Sequence, residues 1–101
     1  MRLVIDIDGT ICTEELTFSR SLAVPKDGAV DSVNKLYEGG HTILLYTARG
    51  WNEYEMTVDW LNRNGFNYHQ LIMGKPIGDI WIDDRAIRFE NDWNNILNQL
   101  L

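Results

Sequence analysis

Short apolar runs rich in β-branched and aromatic residues alternate along this chain with longer amphipathic stretches, and that alternation restricts the fold to the α/β class. Leu3 to Ile7, Ile43 to Tyr46, Gln70 to Met73 and Ile80 to Ile82 are the expected strands. From Asp27 the positions Ala29, Val30, Val33, Leu36 and Tyr37 follow helical spacing until Gly39-Gly40 stops them. A second helix is expected over 52–64, with Tyr54, Val58 and Leu61 on one stripe and Gly65 closing it. Trp93, Ile96, Leu97, Leu100 and Leu101 predict a helix at the end of the chain. Strands that are apolar at consecutive positions are usually parallel and covered on both faces. The expected architecture is a small doubly wound parallel sheet with helices on both faces.

The chain has 101 residues, 45% of them hydrophobic, which is enough for one core, so a single domain over 1–101 is expected. Only the polar stretch from Cys12 to Pro25 lacks either periodicity, and it reads as a loop or flap. A formal charge of -6 argues against partners bound through basic electrostatics, so neither nucleic acid nor a membrane is expected. The start, Met1-Arg2-Leu3-Val4-Ile5-Asp6, turns acidic too soon for a signal-peptide core, and the lone Cys12 offers no disulfide. A cytoplasmic location and a small-molecule partner are the expectations.

In parallel sheets ligands bind beyond the carboxyl ends of the strands, so the residues that follow each apolar run matter most. The first run delivers Asp6 and Asp8, the second Thr47 and Arg49, the third leads through Gly74 to Lys75, and the fourth ends in Asp83-Asp84. Any one of these acids has an ordinary explanation as a cap or turn residue. Together, four carboxylates and one lysine sum to a formal -3, which repels itself unless a cation sits among them. Oxygen ligands suit Mg²⁺, whereas zinc would want His or Cys, which this rim lacks. A carboxylate such as Asp6 can attack phosphorus, and one two residues on, Asp8, can protonate the leaving oxygen and then activate water. Thr47 offers a hydroxyl and a backbone N–H to phosphoryl oxygens, and Lys75 a fixed positive charge. Gly9, Thr10, Ala48 and Arg49 border the same rim and are candidate substrate contacts.

These residues resemble the haloacid dehalogenase-like superfamily. Asp6-Ile7-Asp8-Gly9-Thr10 resembles its first motif, Thr47 after Leu44-Leu45-Tyr46 its second, Lys75-Pro76 its third, and Ile82-Asp83-Asp84-Arg85 its fourth. The resemblance implies a phosphatase with a covalent phosphoryl intermediate on Asp6. It also implies Mg²⁺ held by Asp6, the backbone carbonyl of Asp8 and Asp83 or Asp84, with Lys75 steadying Asp6. The intervals between motifs are too short for the family's usual cap domain, which implies a capless member closed by the 12–25 flap or by a neighbouring subunit in a homo-oligomer. The compact layout is similar to small phosphatases associated with capsule-polysaccharide biosynthesis, and a sugar phosphate or related small ester is the expected substrate.

Other residues have structural readings. Trp60, Trp81 and Trp93 are expected in the core, while Trp51, in the loop after the second strand, can either stack on a ligand or pack. Arg49 can bind a second anionic group or serve as an ion-pair partner, and Arg85 and Arg88 lean structural. His41 and His69 precede strands, at the end away from the rim, and Asp79 reads as a turn cap. Two alternatives compete with an enzyme. A receiver-like phospho-acceptor domain gathers similar residues but in a different chain order, and a catalytically silent binding module would keep the fold without turnover.

Overall fold

The computed structural model describes residues 1–101. Its strands are β1 (Arg2–Asp6), β2 (Thr42–Tyr46) and β3 (Gln70–Ile72), and its helices α1 (Ala29–Glu38), α2 (Tyr54–Arg63) and α3 (Trp93–Leu100). Two short 3-10 helices, Thr17–Leu22 and Trp51–Glu53, lie in the connections. The strands form one parallel sheet in the order β1-β2-β3. β-branched and leucine side chains at successive positions suit these strands, because their stiff side chains pack on both pleated faces.

Ile5, Ile7, Ile43, Leu45 and Leu71 from the sheet region meet Val33 and Leu36 of α1, Trp60 and Leu61 of α2, and Ile96 and Leu97 of α3 in one buried cluster. Asp92 caps α3 by accepting from the Asn95 backbone N–H at 3.2 Å. The Trp60 indole donates to the Ala23 carbonyl at 2.9 Å, which ties the 12–25 stretch to α2. No helix is long and apolar enough to cross a membrane.

Three strands form where four were expected. Ile77, Ile80 and Ile82 are 91%, 81% and 98% exposed, and residues 74–92 carry neither helix nor strand. A run of three apolar residues supplies few ladder bonds, and the preceding Pro76 and Gly78 both oppose extended pairing. Trp60 and Trp93 are buried as expected, but Trp81 is half exposed and not part of the core.

Candidate active site

The parallel register sets Asp6 beside Tyr46, and Tyr46 beside Ile72, so all three strands end at a common edge. Immediately beyond it the loops lock to one another. The Thr47 N–H donates to the Ile72 carbonyl at 3.0 Å, the Lys75 N–H to the Thr47 carbonyl at 2.8 Å, and the Gly74 N–H to the Arg49 carbonyl at 3.0 Å. Gly74, at φ +79°, takes a backbone turn that a side chain would strain, and it delivers Lys75 to the rim.

The loop after β1 is equally fixed. Gly9 lies at φ +83° and donates to the Cys12 carbonyl at 2.9 Å, while the N–H groups of Thr10 and Ile11 both reach the Ile7 carbonyl. From α3, the Trp93 indole donates to the Thr10 carbonyl at 2.9 Å. The Thr10 hydroxyl approaches Asp6 Oδ2 at 3.3 Å, and Lys75 Nζ lies 3.3 Å from Asp6 Oδ1. The ammonium also faces the rings of Tyr46 and Trp81, 5.7 and 5.0 Å from their centroids.

Arg49 is sealed from solvent and holds Asp8 with both edges of a fork: Nε donates to Oδ2 at 3.0 Å and Nη2 to Oδ1 at 2.7 Å. Its third nitrogen, Nη1, donates to the Thr57 hydroxyl at 2.9 Å. Burial works against the Arg49 charge, but the hydrogen bonds and charge of Asp8 outweigh it and raise the guanidinium above its ordinary value. Thr47 is fully buried; its hydroxyl accepts from the Arg49 N–H at 3.1 Å and lies 3.5 Å from Asp8 Oδ2, a long contact. Of the two roles open to Arg49, the structure shows the ion pair.

A cavity of about 340 Å³ opens over this edge. Asp6, Asp8, Ala48, Arg49 and Lys75 line it, together with Glu14 and Arg20 from the 12–25 stretch and Pro76, Ile77, Gly78 and Trp81 from the loop after β3. Sequence reasoning missed Arg20, Glu14, Glu53 and Thr57. Arg20 donates from Nη1 to both oxygens of Glu53, at 2.9 and 2.7 Å, and so pins the 3-10 helix Thr17–Leu22 to the start of α2. The one available signal was that Arg20 is the lone basic residue between Cys12 and Pro25.

The structure brings together Asp6, Asp8, Thr47, Arg49 and Lys75 but leaves Asp83 and Asp84 outside. Asp83 accepts from the Arg85 N–H at 2.8 Å in a local turn, and the Asp84 side chain is 87% exposed. Nothing carries them to the rim, because the strand expected to deliver them does not form. No three His, Cys, Asp or Glu side chains group closely enough to hold a metal ion. The expected self-repulsion is gone as well, since Asp6 is paired with Lys75 and Asp8 with Arg49. Trp51 packs on Tyr54 with centroids 5.6 Å apart and does not line the cavity. His69 accepts from the Ile43 N–H at the opposite end of the sheet, where His41 meets the N-terminal amine.

A search of curated proteins gives no match to the chain. Among solved structures, a crystal structure of a Vibrio cholerae protein superposes with a TM-score of 0.73 at 20% sequence identity, covering 99% of this chain and 98% of that one, a likeness of fold. The sequence model described as "PITM 1-3, LNS2 domain" matches residues 3–88, most of the chain, including Asp6, Asp8, Thr47, Arg49 and Lys75. The chain therefore belongs to the LNS2 domain family, whose fold is that of the haloacid dehalogenase-like phosphatases.

Proposed function

We propose that this LNS2-family chain is a Mg²⁺-dependent phosphate monoester hydrolase that carries the phosphoryl group covalently on Asp6. The convergence of Asp6, Asp8 and Lys75 on one open cavity at the carboxyl edge of a parallel sheet supports it. An Asp6 oxygen bonds to phosphorus as the ester P–O bond breaks, and Asp8 gives the leaving oxygen its proton. Water then attacks the same phosphorus and passes its proton to Asp8, and the bond to Asp6 breaks to release inorganic phosphate. Lys75 holds positive charge beside the attacking carboxylate throughout. Arg49 grips both Asp8 oxygens, which suits the second half-reaction, where Asp8 accepts a proton; in the first half, one oxygen must leave that grip.

Mg²⁺, where bound, neutralises the charge of the phosphate dianion. Asp6 fits as its ligand, because its contacts to Lys75 and Thr10 are both long at 3.3 Å and its side chain is 34% exposed. The backbone carbonyl of Asp8 and either Asp83 or Asp84 would complete the proposed set, although both acids lie outside the cavity in this structure. The proposed substrate is a sugar phosphate or related small ester, in line with the resemblance to capsule-polysaccharide phosphatases. A cytoplasmic location and a second copy over the open mouth belong to the same proposal.

A phosphate-release screen over sugar phosphates, nucleotides and phospho-acids tests it, with Asp6→Asn as background. Repeated turnover that needs Mg²⁺ and disappears in Asp6→Asn is expected. At most one phosphoryl group per chain would indicate a receiver-like domain instead, and tight binding without turnover a silent module.

A further inference from the structure

Three cations line the cavity over Asp6, and two of them are fully engaged. Arg49 spends Nε and Nη2 on Asp8 and Nη1 on Thr57. Lys75 sits against Asp6 and two aromatic faces. Arg20 differs. Both its side-chain hydrogen bonds run from Nη1 to Glu53; its Nε is shut off from solvent, while its Nη2 is not shut off and makes no hydrogen bond. Nη2 is therefore the donor that this guanidinium has left for an anion, and a charged donor binds carboxylate and phosphate oxygens strongly.

The geometry points to Arg20 as a specificity-determining residue, whose Nη2 receives a second oxyanion on the leaving part of the substrate. This rests on the phosphatase proposal for Asp6 and narrows it to phosphate esters that carry another anionic group, a carboxylate or a second phosphate. Glu53 supports the role: side-chain exposures of 23% and 11% for the pair hold the guanidinium on the cavity wall, and a fixed guanidinium loses little entropy when the ligand binds. Glu14, also from the flap, lines the same cavity with the opposite charge. It repels a second anion and accepts from hydroxyl groups, which leaves Arg20 as the anion's place.

The test compares kcat/KM for a hexose monophosphate, a hexose bisphosphate and a phosphorylated hexonic acid, in the wild-type chain and in Arg20→Gln and Arg20→Lys. The wild type is expected to favour one or both of the doubly anionic esters, and the better of them identifies the second group as phosphate or carboxylate. Arg20→Gln should cut that preference by about tenfold to a hundredfold, through KM more than kcat, the scale of a charge-assisted hydrogen bond. Arg20→Lys, which keeps the charge and loses the planar guanidinium that bonds Glu53 and the anion at once, should fall between, and circular dichroism of both variants checks that they fold. If Arg20→Gln does not fold, Arg20→Lys alone decides by whether the preference drops. Calorimetric titration of the doubly anionic esters into the Asp6→Asn chain, with and without Arg20→Lys, reads the same contact without turnover. Turnover with no preference for a second anion, or a preference indifferent to Arg20, overturns the assignment. Absence of turnover on every ester, with binding that still depends on Arg20, overturns the phosphatase proposal and leaves the Arg20 site standing; binding indifferent to Arg20 removes both.

Discussion

Arg49, sealed from solvent, holds both carboxylate oxygens of Asp8 at 2.7 and 3.0 Å and anchors its remaining nitrogen on Thr57 of α2. The residue assigned to proton transfer is therefore oriented by a rigid fork fixed from two sides. This separates stability from chemistry in a way that mutation can read. Arg49→Met strands the Asp8 charge and the Thr57 hydroxyl, and should destabilise the chain by about 1–3 kcal/mol, less than for a fully buried pair because the Asp8 side chain is 17% exposed. Adding Asp8→Asn removes the stranded charge and should recover part of that loss in urea denaturation, while phosphate release stays low. An additive double mutant would show that the pair carries no coupling.

Lys75 is held to the rim by its backbone bond to Thr47 and by the Gly74 turn, so its side chain can be changed without losing the loop. Lys75→Met should lower kcat by about a hundredfold to a thousandfold, the usual cost of removing one preorganised positive group from a developing charge. Lys75→Arg should restore little, since a planar fork does not fit the space between Asp6 and the faces of Tyr46 and Trp81. Steady-state rates of the two variants, measured with circular dichroism as a control, check this.

Much of this geometry was legible from residue order. β1, β2 and β3 fall within a residue or so of the apolar runs that predict them, and α1 and α2 end at glycine-bearing stops. Asp6, Thr47 and Lys75 meet because in a parallel sheet whatever follows each strand lands on one edge. The failures have a common physical character. Ile80 to Ile82 has strand composition, but composition does not guarantee an edge on which to pair, and Asp83 and Asp84 went with it. Trp81 followed, leaving the expected core to border the cavity. The Arg20–Glu53 pair joins residues far apart in sequence through side chains alone, and no local period announces such a contact.

Trp93 links the far end of the chain to the first loop. Its indole N–H satisfies the Thr10 carbonyl at 2.9 Å, and Thr10 in turn approaches Asp6. Trp93→Phe keeps most of the ring against Phe89 and removes only that donor. It should cost about 1 kcal/mol in stability, the net value of one hydrogen bond. If α3 positions the Asp6 loop, kcat should fall as well while KM moves little; an unchanged kcat would confine Trp93 to packing.

Cys12 lies fully buried directly beneath the acidic loop, where burial first, and then the charge of Asp8, push its thiol up to about 12 from an ordinary 9.0. The folded chain thus keeps a proton that the unfolded chain gives up above pH 9, so unfolding is favoured progressively as pH rises through the window between those two values, and the effect vanishes below it. Tyr68, raised first by its own burial and then by Tyr54, adds a slope of the same sign. Urea midpoints followed from neutral to alkaline pH should therefore fall, and Cys12→Ala should flatten the slope without abolishing it, because Tyr68 remains. The absolute stability of Cys12→Ala will be lower at neutral pH, since it leaves a small void. The slope, rather than the midpoint, is what reports the thiol. The same neutrality makes the native thiol inert, because only a thiolate attacks a disulfide reagent. Labelling of Cys12 by a thiol-reactive dye at neutral pH should then proceed only as fast as the chain opens, and immediate labelling would contradict its placement under the loop.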